Sequence, residues 1–334
     1  MLTYVYRVTK YDPADRDGHG HYTGPEDTVS DHGEIEASYL RAVAAFAADT
    51  GIDHLVVREP QVPSLAHLGV EPPVDGFGLE GLFPSGQAGF HDGAQVLLDI
   101  ALELVRVMLR DNGAWCRLEA DDTFAVHVGW DQYLYISSSR PCEEALARTR
   151  ELGLFPERLD ASPYAFDEDE EQDIQRPGDD DFWADLRRAV VSGHAGVLEE
   201  MHLEGASRWH HLDRDTIGPD RVGLAPRARL AVWPPLSTDI AAVLRALPTD
   251  GLIEGVWQDD DGLIHSAIAD EDGHAELTAR ITSARAAALL SVYAGERAPL
   301  FTAVMTDNDG VLRARWRTEP TPSDRDWALR QPKG

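Results

Sequence analysis

Polar and apolar positions alternate with a period of two from Trp115 to Ser138, WCRLEADDTFAVHVGWDQYLYISS. Runs rich in aromatic and β-branched residues between turn residues predict strands. Three are expected, at 115–119, 123–128 and 132–138, joined by links short enough only for hairpins, so the strands run antiparallel. Three-residue loops at 120–122 and 129–131 put Cys116, Leu118, Phe124, Val126, Val128, Leu134 and Ile136 on one continuous apolar face. The opposite face then carries Trp115, Arg117, Glu119, His127, Tyr133 and Tyr135.

That second face has two readings. A helix or loop covers it, the rings pack and the charges pair. Alternatively it is an open platform, where rings beside Arg and His stack bases or grip a protein.

The rest of the chain divides around this sheet. Residues 2–9 alternate like a strand, and 34–49 have helical spacing, with Gly51 as the cap. A strand at 53–58 ends at Glu59-Pro60, and 60–90 are Pro/Gly-rich and irregular. An amphipathic helix is predicted at 92–110 and another at 141–152. Residues 161–181 read as an acidic linker broken by Gln175-Arg176-Pro177-Gly178. A helix is expected at 181–192, 197–203 fit helix or strand, and a strand at 227–233 precedes a helix at 238–247.

A repeat follows, in which residues 252–263 align with 300–311 at an offset of 48. Each copy reads as a hairpin with an Asp-Gly turn, preceded by a helix, at 238–247 and then at 276–293. The expectation is an α+β fold with antiparallel sheets in two domains, 1–160 and 182–317, the second built on a duplicated helix–hairpin unit, with a tail at 318–334. The tail is either a strand-capping extension or a docking peptide.

Charge changes the picture. The 334-residue chain carries 59 acidic residues against 30 Lys and Arg, a net charge of −29. Its only lysines are Lys10 and Lys333, so the positive charge is nearly all arginine. The composition suggests a high-GC coding bias, with a salt-adapted proteome as the rival explanation. Such a chain repels nucleic acid and anionic membranes at long range and favours basic partners. No apolar run approaches a membrane span, and two cysteines make no disulfide framework, so a cytoplasmic setting with reduced thiols is expected.

TYVYRVTKYDPADRDG, LRDNGAWCRLE, HVGWDQYLYI, LGLFPERLDASPY and RARWRTEPTPSDRDWA together resemble a family of actinobacterial proteins of unknown function. The resemblance spans most of the chain. Some members of that family carry a loose RNA-binding label, which is all the resemblance implies; it transfers no residue role.

Candidate chemistry is sparse. Asp15, Asp17, Gly20 and Glu26 follow calcium-loop spacing, but His19 stands where an oxygen ligand belongs and Pro25 precedes the Glu, so a plain acidic loop is the rival. Gly76, Gly78 and Gly81 match the dinucleotide fingerprint without its strand and helix. Cys142 lies near a helix N-terminus, which favours the thiolate, beside Glu143 and Glu144, which oppose it. Trp209-His210-His211-Leu212-Asp213-Arg214-Asp215 gathers groups able to bind metal or move protons, or forms a polar turn. Arg313, Arg315 and Arg317 alternate along the last hairpin and Arg227 and Arg229 do so upstream, giving either a basic stripe or five salt bridges. No cofactor motif is found. The expected function is a non-catalytic binding protein engaging a basic protein in an inhibitory, immunity or regulatory role. RNA binding through the sheet aromatics and arginines is the alternative, and a metal-dependent hydrolase a further one.

Overall fold

The computed structural model describes residues 2–25, 30–63, 70–162, 175–214, 217, 223–315 and 321–331. Among them are seven α-helices and fourteen strands in three sheets, an α+β fold. The chain forms two compact units, Met1–Glu170 with Leu203–Ala206, and Glu171–His202 with Ser207–Gly334.

The first unit contains β1 (Tyr4–Thr9), α1 (Gly33–Thr50), β2 (His54–Gln61), β3 (Gln95–Leu97), α2 (Leu98–Leu109), β4 (Trp115–Ala120), β5 (Phe124–Val128), β6 (Leu134–Ser138), α3 (Glu143–Glu151) and β7 (Phe155–Leu159). Its sheet runs β3-β2-β4-β5-β6-β1-β7, antiparallel throughout. Leu118 lies opposite Val126, and Val126 opposite Ile136, so the expected faces hold, but the pairing is shifted by two positions: the links are 121–123 and 129–133, not 120–122 and 129–131. All seven expected core positions, Cys116 to Ile136, are buried in one cluster with side chains of α1, α2 and α3. Gly51, at φ 73°, caps α1 and donates its N–H to the Ala47 and Ala48 carbonyls. Only glycine takes that left-handed backbone cheaply.

Two boundaries differ from expectation. Gln95–Leu97 is strand, not helix: Val96 is buried and Leu97 is 64% exposed, an alternation that suits pairing with β2. Pro60 does not end β2, because Glu59 (φ 51°) forms a bulge there. The buried Asp92 carboxylate holds the bulge, accepting from the Glu59 N–H (3.1 Å) and from Arg58 (3.0 Å). Leu203–Ala206 join this unit through the Val62 N–H to Glu204 carbonyl bond and its reciprocal from Glu204 to Pro60, each 2.9 Å.

The second unit contains α4 (Asp180–Val191), β8 (Val197–Leu203) apart from Leu203, β9 (Ala206–His211) apart from Ala206, β10 (Arg229–Trp233), α5 (Ile240–Arg245), β11 (Ile253–Gln258), β12 (Ile264–Ala269), α6 (His274–Thr282), β13 (Ala286–Ser291), β14 (Phe301–Val304) and α7 (Pro322–Arg330). It stacks in layers. Phe182, Trp183 and Leu186 of α4 pack on Leu198, Leu230 and Phe301, one face of the sheet β14-β10-β8-β9. Val197, Ala231 and Trp233 on the other face meet Ile264 and Leu290 of the sheet β12-β11-β13. Trp257, Ala269 and Ala287 on the far side of that sheet pack under α5 and α6.

Among the described residues the duplicated helix–hairpin unit does not form. The first copy is a hairpin, β11 and β12, turning at Gly262 (φ 86°). The second supplies only β14, which pairs with β10 in the other sheet, and Val311–Arg315 has no strand. The helix expected at 276–293 is α6 followed by β13, because β11 on one side and Ser237 on the other hold Ala286–Ser291 extended. The end of the expected linker is also ordered. Arg176 is buried, and its carbonyl and the Gly178 N–H bond to Val304.

Candidate functional site

The aromatic face of the central sheet is a packed layer. Trp115 donates its indole N–H to the Val128 carbonyl (2.5 Å) and stacks on Trp130, with centroids 6.1 Å apart and planes 8° apart. Its edge meets His127 at 6.4 Å, and His127 stacks on Tyr135 at 5.3 Å. The Tyr135 hydroxyl donates to Asp131 (2.6 Å). Arg117 lies 3.5 Å from Glu119, and each side chain is 13% exposed. Tyr133 sits just before β6 beneath the guanidiniums of Arg7 and Arg16. His127 is 3% exposed and Tyr135 2%, so the open-platform reading is corrected at both. Trp130, which the sequence placed in a loop, is the ring that reaches solvent, at 64%.

Burial pushes the His127 pKa down to about 3, and the charge of Arg117 adds to the shift. The ring is therefore neutral near pH 7. Its folded value lies below its ordinary value of 6.5, so the unfolded chain takes up the proton first. The resulting stabilisation is fully present above about pH 6.5 and is lost as pH falls toward about 3. A histidine-resolved NMR titration of the native chain is expected to show no His127 inflection between about pH 5 and 8, with the urea midpoint falling below about pH 6.

Among the described residues Arg313 and Arg315 are on no strand, so the alternating stripe expected there does not form. Arg227 precedes β10 with φ 55° and grips Asp307 through two bonds, 2.7 and 3.0 Å. Arg313 bonds Asp307 (2.8 Å) and both oxygens of Asp309 (2.9 and 2.7 Å). The Arg313 hydrogen bonds and a backbone N–H lower Asp309 to about 2, and the two arginines lower Asp307. Arg229 is on β10 opposite Val304, and Arg315 is outside any strand; neither is free. Arg317 lies outside the described residues. The salt-bridging reading therefore holds for Arg227 and Arg313.

The remaining candidates separate. Asp17 spends one carboxylate oxygen on the N–H groups of His19 (2.8 Å) and His21 (2.9 Å), and Glu26 lies outside the described residues. Among the described residues no group of three or more His, Cys, Asp or Glu is placed to hold a metal ion. Strand alternation splits the His210–His211 pair. His210 turns inward to Glu200 (2.8 Å), His211 is exposed, and Asp215 lies outside the described residues. Both cysteines are buried free thiols, and burial raises both pKa values. Neither is expected to react with a thiol reagent in the native chain, and both should react after denaturation, as a colorimetric thiol count would read.

One buried polar cluster was not expected from the sequence. Glu199 and Glu200, consecutive on β8, point to opposite faces and are both buried. Glu200 accepts from Arg208 (3.1 Å), His210 (2.8 Å) and the Ala225 N–H (2.7 Å). Burial acts to raise the Glu200 pKa, but these partners outweigh it and the value is lowered. Glu199 accepts from Ser207 (2.9 Å), the Trp233 indole (2.9 Å) and Arg297 (2.9 Å to each oxygen). Arg297 also bonds the buried Glu254 (2.6 Å) and lies over the Trp233 ring. Burial acts to lower Arg297, yet the two glutamates raise it. Every carboxylate here faces a cation or an N–H, which makes the cluster a brace within the second unit. The signal was two adjacent acids inside the apolar run Val197–Leu203.

Comparison of the chain with protein-family models, with curated proteins and with solved structures gives no match.

Proposed function

We propose that this chain is a non-catalytic cytoplasmic binding protein whose acidic surface engages a basic protein partner. The observation that carries this reading is where the positive charge goes. Arg58, Arg176, Arg227 and Arg297 are each committed to a carboxylate of this chain. With a net charge of −29, the surplus acids are left to the surface, as at Asp260, Asp261, Asp270, Glu271 and Asp272. Such a field draws in cationic proteins and raises their association rate. No helix among the described residues is long and apolar enough to cross a membrane.

Burial of His127 and Tyr135 and the engagement of Arg227 and Arg313 by aspartates weigh against RNA binding through those residues. The separation of His210 from His211 weighs against a hydrolase there. The test is affinity capture from native cytoplasm with and without nuclease, followed by salt titration of the purified pair. The expected result is a basic protein, retained after nuclease and released by salt. Recovery of RNA alone, abolished by nuclease, overturns the reading.

A further inference from the structure

Strand edges expose rows of unpaired N–H and C=O groups, and folded proteins blunt them. Among the described residues five of the six sheet edges are blunted. β3 has three residues, and β7 carries Pro156 with Glu157 and Arg158. β9 carries Arg208, His210 and His211. Ser237 closes β13 through reciprocal 2.9 Å bonds with Ala287. β14 is closed by Asp324 on the Thr302 N–H (3.1 Å) and by Arg176 and Gly178 on Val304.

β12 is the exception. Its sequence, Ile-His-Ser-Ala-Ile-Ala, has no proline, glycine, acid, lysine or arginine. The Asp259 N–H to Leu263 carbonyl bond sets the phase of the ladder with β11. Leu263, His265, Ala267 and Ala269 therefore turn their backbone groups to β11, and Ile264, Ser266 and Ile268 turn theirs outward. Among the described residues nothing bonds these outward groups. Exposed acids stand at both ends of the edge, Asp260 and Asp261 before it and Asp270, Glu271 and Asp272 after it. The six residues of β12 span roughly 20 Å at about 3.4 Å each, and Gly262 and Leu263 lie between them and Asp261.

We propose that the free edge of β12 docks an extended basic segment of a protein partner as an added strand; this rests on the binding reading above. Backbone bonds to Ile264, Ser266 and Ile268 hold the segment, and Lys or Arg at its two ends meets the two acidic groups. The same charges reject a second copy of this chain. Antiparallel pairing of two β12 strands centred on Ser266 would set Asp260 and Asp261 of one against Asp272 and Glu271 of the other.

The test uses the full chain and a labelled nonapeptide with two basic residues at each end and alternating valine and threonine between them. A second peptide is identical but N-methylated at alternate residues, which removes the strand-edge donors and keeps the charge. Fluorescence anisotropy should show the first peptide binding and the second at least about tenfold weaker. Ser266→Pro should weaken the first peptide by a similar factor, since Ser266 turns its N–H away from β11. Asp260→Lys with Glu271→Lys should weaken it and flatten its salt dependence. If Ser266→Pro does not fold, the N-methylated peptide on the unaltered chain still decides.

Equal binding of the two peptides, or none, overturns the proposal. So does a dimer in size-exclusion chromatography that Ser266→Pro dissolves, because a second copy then owns the edge. A basic partner captured equally by the native chain and by the Ser266→Pro chain removes the edge and leaves the binding reading standing. Peptide binding without any basic partner in the cytoplasmic capture removes the binding reading and leaves the edge.

Discussion

Arg297→Ala is expected to destabilise the second unit by about 3–5 kcal/mol, the usual cost of removing one partner from a buried ion pair. The arginine is the shared cation of two buried carboxylates, Glu199 at 1% and Glu254 at 5% exposure. Without it, Glu199 keeps the Ser207 hydroxyl and the Trp233 indole but loses its counter-charge. Glu254 loses the 2.6 Å bond to Arg297. The deficit is measured as the difference in urea midpoint from the native chain. Adding Glu199→Gln and Glu254→Gln to Arg297→Ala should recover part of the loss, because two uncompensated charges become neutral amides. A deficit with no recovery would mean that Arg297 acts by packing over Trp233.

This brace also marks where the sequence stops being readable. The faces of β4, β5 and β6 followed from alternation, because a pairing shift of two positions leaves every side chain on its own face; the links themselves fell elsewhere than expected. Gly51 was readable as a cap because the left-handed position selects glycine. Arg297 stands 98 residues from Glu199 and 43 from Glu254, so no local pattern joins them. The run Ala286–Ser291 has strong local helical preference in Ala and Leu, and only its neighbours in the sheet make it a strand. The arginine stripe needed Val311–Arg315 to be extended in a hairpin, and no strand forms there. The apparent repeat shared a turn sequence, and turn chemistry fixes only a few dihedral angles, not the sheet each strand joins.

Arg176 was least visible of all, since Gln175-Arg176-Pro177-Gly178 has every mark of a chain breaker. In the structure its side chain is 2% exposed and forms an ion pair with Asp185. Its guanidinium lies over the rings of Phe182 (5.5 Å), Phe301 (5.6 Å) and Trp327 (5.3 Å), drawn from α4, β14 and α7. Its carbonyl accepts the Val304 N–H at 2.9 Å, so the segment extends the β14 edge. Arg176→Ala is expected to cost about 3 kcal/mol, from the lost buried pair and the lost ring contacts. Arg176→Lys keeps the charge but not the planar face that lies over three rings, and should recover less than half of that loss. Arg176→Met fills the space without charge and leaves Asp185, 29% exposed, to water, so it should fall between the native chain and the alanine variant. Amide hydrogen exchange supplies the local reading. Val304 should lose protection in the alanine variant before the strands of the first unit do. Full activity of lysine in this role, with a native urea midpoint and native Val304 protection, would show that charge alone, and not the stacked plane, anchors the segment.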